Sequence, residues 1–398
     1  MKNNHNTLNS SKSIILFSTA DWDNPYWTNK QHMAKYLGEH GFNVLYIESI
    51  GLRTPTVSKR DIKRMLKRIW RGFQPAKSVS QNLWVISPIA IPFKQHWSFV
   101  RTINQRLLGI RIHLFIMRHK FKKPMIWTYH PFMLHAIDLF KHEQVIYHCV
   151  DDLGAIPGID KTKFYIEENK LPLKSNLIFV TSKALEKRCL NYNKNTYFFP
   201  NVVDEEHFKQ AHHPTSIPSE MVVIPRPRIG YVGVLSDYKV DFKLIYDIAC
   251  SRKEWNWVLI GEEREGQKNN TVELLRRLPN VYFLSHKKYD DLPNYLALLD
   301  VGTLPTLLSD YTKSMFPMKY YEYLAAGIPV VTTPLDFTDM TKSYTIVADS
   351  ESAFENAILQ QIQRGKLTIE ESVMAVGDNT WAIRLSKMLS IICAKSSN

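Results

Sequence analysis

The stretch Tyr311–Pro334, YTKSMFPMKYYEYLAAGIPVVTTP, decides the fold. Pro317 suits a first helical turn, Tyr320 to Ala326 supply good or acceptable helix formers, and Gly327 with Pro329 is a stop signal. These signals predict a short helix beginning near Phe316 and ending at Gly327. Ile328 to Thr332 is a short β-branched run that reads as a buried parallel strand. A loop, a helix and a buried strand in that order make half of a βαβ unit, and the free amides at such a helix start form an anion site. Lys313, Ser314 and Lys319 stand around that start, with Glu322 one turn further in. Spacing alone leaves another reading open, in which Lys319 and Glu322, three residues apart, form only a surface ion pair.

Upstream, the same grammar repeats. Arg228 to Val232 reads as a strand, GVLSDYK as its loop and Asp241 to Cys250 as a helix. Trp257 to Ile260, Val281 to Leu284 and Val301 to Leu304 are further strands, and Tyr289 to Leu299 is a helix between the last two. Helical patterns at Ser352 to Gln363 and Trp381 to Ile392 close the chain. An earlier series opens at Ser13 to Phe17, with a loop over Ser18 to Thr28, a helix from about Asn29 to His40 closed by Gly41, and a strand at Val44 to Ile47. It has no GxGxxG fingerprint. Leu83 to Ser87, Met125 to Tyr129, Val145 to Val150, Asn176 to Thr181 and Thr196 to Phe199 are its later strands, and Ser182 to Asn191 a helix. His130 and the pair Asp151 and Asp152 follow strands of this series, the edge where open α/β sheets bind ligands, although a lone histidine at a strand end is more often structural. Between the two series, four prolines within His212 to Pro227 read as a linker. The expected architecture is therefore α/β, two Rossmann-like doubly wound domains facing a central cleft. Residues 1–205 form the first domain, 206–227 the linker, 228–375 the second domain, and 376–398 a final helix open to crossing back.

A chain of 398 residues with 44% hydrophobic content suits two cores of about 150 to 200 residues each. Its +13 formal charge is local: residues 53–123 hold 17 Lys and Arg against one acid, Asp61, so the remainder is close to neutral. Within that basic insert, KRDIKRMLKRIWRGF (59–73) places Ile62, Met65, Leu66, Ile69, Trp70 and Phe73 on one helical face. Lys63, Arg64, Lys67, Arg68 and Arg71 fall on the other. Such a stripe fits a helix lying on an anionic membrane surface, as it also fits an ordinary amphipathic helix packed on its own domain. Trp97 to Phe121 is a second long helical pattern, with Arg101, Arg106, Arg111, Arg118 and Lys120 on its polar side. Basic and aromatic residues interleave here, but no nucleic-acid recognition motif accompanies them, and no nucleic-acid partner is expected. Cys149, Cys189, Cys250 and Cys393 lie far apart without ligand spacing, which suits reduced thiols in a cytosolic protein. Asp21 and Asp23 form an Asp-x-Asp pair with no further ligand spacing, and no metal is expected. The first apolar run, Ile14 to Phe17, is too short for a signal or a membrane span.

Seven stretches together resemble one family: TSKAL (181–185), PNVVDEEHF (200–208), IGYVGVLSDYKVDF (229–242), WVLIG (257–261), LPNVYFLSHKKYDDLPNYLALLDVGTLP (278–305), KSMFPMKYYEYLAAGIPVVTTP (313–334) and TWAIR (380–384). In order and spacing they are similar to the group 1, or family 4, retaining glycosyltransferases of the GT-B fold. DWDNPYWTNKQHMAKYLGEHGFNVLYIE and VIYHCVDDL resemble, more loosely, bacterial cell-surface polysaccharide enzymes of the teichuronic acid type. The resemblance implies a nucleotide-diphosphate sugar as donor substrate, no separate cofactor, and a glycan or polyprenyl-linked acceptor. It implies that Glu322 takes the ribose hydroxyls, that Lys239 and Lys319 hold the diphosphate near the Gly233 amide, and that His130 lies near the reacting sugar. Asp151 and Asp152 would face the acceptor. Val234 stands where many members have an arginine, so Lys319 or Lys313 must substitute for it. Ser314 replaces the first glutamate of a Glu-x7-Glu pair, and PNVVD replaces PNGVD.

The expectation is a retaining glycosyltransferase in cell-surface polysaccharide assembly, cytoplasmic and peripheral on the inner membrane face. Two alternatives remain at this level: a GT-B nucleotide-sugar epimerase, which needs no acceptor, and a non-catalytic basic membrane-binding module.

Overall fold

The computed structural model describes residues 12–24, 26–49, 70–88, 98–264, 268–341 and 343–396. They form two compact units. The first holds the chain up to Val180, residues 185–199 and the end from Met388. The second holds Thr181–Ala184 and Pro200–Lys387.

The first unit is built on eight strands: β1 (Ser13–Phe17), β2 (Asn43–Ile47), β3 (Lys77–Ser80), β4 (Leu83–Ile86), β5 (Met125–Thr128), β6 (Val145–Cys149), β7 (Leu177–Val180) and β8 (Thr196–Phe198). Their order is β3-β4-β2-β1-β5-β6-β7-β8. All neighbours are parallel except the edge pair β3 and β4. Phe17 pairs with Ile47 on one side and Thr128 on the other, so the order reverses between β1 and β5. A crevice at the carboxyl ends of strands opens at such a reversal, and His130 follows β5 there. The apolar runs are continuous because both faces are covered: Ile14, Ile15, Leu16 and Phe17 are all buried.

The second unit has β9 (Arg228–Val232), β10 (Asn256–Ile260), β11 (Val281–Leu284), β12 (Val301–Leu304), β13 (Val330–Thr332) and β14 (Thr345–Val347). The order is β11-β10-β9-β12-β13-β14, wholly parallel, and reverses between β9 and β12. Alternate residues of β10 feed two cores. Val258 and Ile260 pack with Tyr320, Tyr323, Leu324 and Ile328, while Trp257 and Leu259 pack with Ile245, Ile248, Phe354 and Ile358. Residues 206–227, read from sequence as a linker, instead carry three short helical segments. Phe208, Ala211, Met221 and Ile224 from this stretch join the first of those cores. The prolines shape the turns between the segments while the apolar residues between them are buried.

Tyr311–Pro334 folds as a strand-bound helix, Lys319–Ala325, leading into β13. It begins three residues later than Phe316, whose carbonyl is taken by the Asn201 amide. Gly327 ends it with φ +76°, a left-handed conformation open chiefly to glycine, and a Cβ there would lie 2.6 Å from His212 Cε1. The Tyr323 ring lies across Gly302 of β12, where a Cβ would meet it at 2.7 Å. Its hydroxyl accepts the Val232 N–H at 2.9 Å, tying helix, β12 and the end of β9 together.

Candidate active site

In the second unit, the loop after β9 runs from Gly233 to Val240 and is fastened to the loop after β12. Asp241 N–H donates to the Pro305 carbonyl at 2.8 Å, and Leu307 N–H to the Lys239 carbonyl at 2.9 Å. The Gly233 N–H donates to the Ile260 carbonyl at 3.0 Å, so this amide is engaged with the end of β10. Within the loop, Lys239 and Val240 N–H groups both donate to the Ser236 carbonyl, at 3.1 and 2.9 Å. The Ser236 hydroxyl is buried and has no hydrogen-bond partner. These turns hold the Lys239 ammonium 5.2 Å from the Tyr238 ring centre and 5.6 Å from that of Tyr311. Two aromatic faces at that range attract a cation and restrict its flexible stem. The structure thus brings Lys239 to the stretch that carries Lys313, Ser314, Lys319 and Glu322, by way of Tyr311, which sequence spacing did not single out.

Ser314 is buried, and its hydroxyl donates to the Tyr311 carbonyl at 3.0 Å. Lys313 is exposed. Lys319 and Glu322 form an ion pair, as the helical spacing allowed, but not a surface one, since Glu322 is only 3% exposed. A buried carboxylate without a cation would cost several kcal/mol (about 3–5), and the Lys319 ammonium is the cation paired with Glu322. The Lys319 ammonium also stands 5.9 Å from the Phe208 ring centre. Because the helix leaves from the carboxyl end of β12 and returns to β13, its first turn lies at the same sheet edge as the Gly233–Val240 loop.

In the first unit, His130 is buried. Its backbone is held on both sides by Thr128, whose hydroxyl donates to the His130 carbonyl at 2.9 Å and accepts from its N–H at 3.1 Å. The Phe132 N–H donates to His130 Nδ1 at 3.2 Å, which places the ring proton on Nε2. That Nε2 is buried and unpartnered. Burial pushes the imidazole pKa down to about 3. His130 is thus a neutral hydrogen-bond donor near pH 7, suited to holding a hydroxyl rather than relaying a proton.

The two aspartates after β6 part company. Asp151 lies 3.5 Å from Lys30 Nζ. Asp152 accepts from Tyr165 at 2.7 Å and from Arg188 at 3.2 Å. Arg188 also reaches Glu168 at 3.0 Å and the Cys149 sulfur at 3.4 Å, and Tyr147 donates to Glu168 at 2.7 Å. Glu168 is buried; that burial raises its pKa, and Arg188 opposes the rise. Glu168, Arg188 and the two tyrosines were not legible as a site, because they converge from a strand and two helices with no shared spacing.

Lys63, Arg64, Lys67 and Arg68 lie outside the described residues, while Trp70 is 65% exposed. Among the described residues no helix is long and apolar enough to cross a membrane, and no cluster of three acidic, His or Cys side chains could hold a metal. Asp23 of the Asp-x-Asp pair is bound by Arg71 at 3.2 Å and Lys77 at 3.7 Å.

Residues 226–364 match the family model described as glycosyl transferases, group 1. The chain is 29% identical over 238 residues to the provisionally named teichuronic acid biosynthesis glycosyltransferase TuaH of Bacillus subtilis (strain 168). That match covers 55% of this chain and 58% of the relative, so it spans a little over half of the relative's length. Among solved structures, sucrose-phosphate synthase from Thermosynechococcus elongatus superposes with TM-score 0.72 at 15% identity, over 97% of this chain and 100% of that one. Anabaena Alr3699/HepE in complex with UDP and glucose gives 0.63 at 14% identity, over 95% and 99%. Residues 226–364 are accordingly a group 1 glycosyltransferase domain, set in a chain of the GT-B fold.

Proposed function

We propose that this protein is a retaining glycosyltransferase that moves a sugar from a nucleotide-diphosphate donor to a lipid-linked or surface-glycan acceptor at the cytoplasmic face of the membrane. The observation that carries the reading is the coincidence of the family match, residues 226–364, with the sheet edge bearing Lys239 and the buried Lys319–Glu322 pair. In this reading Glu322 accepts from the ribose hydroxyls, oriented by Lys319. Lys239, Lys319 and the exposed Lys313 hold the diphosphate beside the Gly233 loop, and Ser314 lines the same wall. Cleavage of the anomeric bond places negative charge on the departing diphosphate, and preorganised cations stabilise that charge as it develops. His130 Nε2–H holds a sugar hydroxyl, and Asp151 with Asp152 stands on the acceptor side. A neighbour of the same fold is solved with UDP and glucose, which makes UDP sugars the first donors to try.

The test is release of nucleoside diphosphate from a panel of nucleotide sugars offered with a glycan or polyprenyl-linked acceptor. Acceptor-dependent release supports glycosyl transfer. Sugar isomerisation without acceptor would replace it with an epimerase.

A further inference from the structure

The helix Ser98–His119 carries apolar residues on both its inner and its outer side. Toward the first unit it turns not only Leu108 and Ile112 but also Asn104 and Gln105, both nearly inaccessible. Gln105 donates to the Phe132 carbonyl at 2.5 Å and accepts from the Ala136 N–H at 3.1 Å, which fixes the helix's rotation. Outward it turns Phe99 (71% exposed), Ile110 (58%), Leu114 (57%) and Met117 (57%), with Leu107 at their edge. At about 100° per residue these five fall within an arc of about 80°. Arg106 lies just beyond one border and Arg118 just beyond the other, both exposed. Arg111 donates to the carbonyls of Gly72, Gln74 and Ser87, fastening to the helix a turn whose Trp70 and Phe73 are also mostly exposed.

An outward apolar stripe of this size is a binding surface, and its charge names the occupant. From Ser98 to Lys123 there are seven Lys and Arg and no acid. We propose that the outward face of Ser98–His119 docks on an anionic lipid surface, with Ile110, Leu114 and Met117 entering the acyl boundary while Arg106 and Arg118 meet the headgroups. The inference deepens the proposed function, on which it rests for its purpose, because it brings the first unit to where a lipid-linked acceptor lies.

The experiment is flotation of the full chain with vesicles in about 0.15 M salt, comparing 70:30 phosphatidylcholine:phosphatidylglycerol with phosphatidylcholine alone. Wild type floats with the anionic vesicles and not with the neutral ones. Ile110→Gln/Leu114→Gln/Met117→Gln and Arg106→Gln/Arg118→Gln each lose affinity, the latter by roughly 30-fold from two headgroup charges. Both variants keep the wild-type melting curve and the wild-type rate of nucleoside diphosphate release with a water-soluble acceptor. Variants that float as wild type does would overturn the proposal. So would a wild-type dimer in sedimentation velocity that the triple variant abolishes without any vesicle binding, which would assign the face to a second copy. Vesicle binding without any nucleoside diphosphate release would sink the proposed function and leave the docking face standing.

Discussion

Replacing Arg188 by alanine removes one cation from the buried Glu168 and Cys149 and the half-buried Asp152, and tests whether the Asp152 side of the first unit is held electrostatically. In the native unit the Arg188 guanidinium lies 3.0 Å from Glu168 and 3.2 Å from Asp152, whose side chains are 2% and 17% exposed. Removal of one partner from such a pair leaves an uncompensated charge and costs about 3–5 kcal/mol. For a unit of about 200 residues that lowers the melting temperature by on the order of 10 °C. The sign with pH follows from Glu168. Its carboxyl titrates higher in the folded unit than in the unfolded chain, because burial raises its pKa and Arg188 only opposes the rise. The folded state therefore binds more protons through that range, and stability falls as pH rises through it. Without Arg188 the shift grows, so the deficit of Arg188→Ala is largest at about pH 8 and shrinks toward about pH 5. Adding Glu168→Gln, which removes the stranded charge, recovers part of the loss at high pH, and the double-mutant cycle measures the coupling. Calorimetric melts of the four proteins across that pH range are the assay. A deficit that is absent, or present but independent of both pH and Glu168, would refute the reasoning.

Two further outcomes follow from single residues. The His130 imidazole, pushed down to about 3 by burial, stays neutral and Nε2-protonated between about pH 8 and about pH 5 in nitrogen NMR of the labelled protein; a titration centred near the ordinary histidine value would contradict its burial. Gly327→Ala puts a Cβ 2.6 Å from His212 Cε1 at a φ of +76° and lowers stability by more than about 1 kcal/mol, read as a melting shift of a few degrees. An unchanged melt would mean that the helix end does not need a glycine.

What the sequence revealed and what it hid divide along physical lines. Strands buried on both faces carry their signal locally, so β1, β9 and β12 were legible as short apolar runs. Lys319 and Glu322 were legible as a pair because helical spacing dictates their meeting, but burial of Glu322 follows from how the helix packs into a core that residues distant in sequence, Phe208 among them, complete. The 206–227 stretch looked like a linker because its prolines break periodicity, whereas Met221 and Ile224 are placed by the sheet they cover. The Arg188 network assembles from β6 and two separate helices, and no one-dimensional pattern joins them. In the helix Ser98–His119 the polar side marked by its arginines is exposed at Arg106 and Arg118. An apolar stripe lies exposed between them, which the arginine pattern does not reveal, while Gln105 finds its hydrogen bonds inside.

The most direct test of the central claim is kcat/KM for nucleoside diphosphate release, measured on wild type, Glu322→Ala and Lys239→Ala with the donor that the panel selects. Each charged hydrogen bond lost to the bound donor is worth about tenfold to a hundredfold. Both variants are therefore expected to fall by at least about tenfold while melting as folded proteins. Variants that turn over the donor as fast as wild type would contradict a donor site at the edge formed by Lys239 and the Lys319–Glu322 pair.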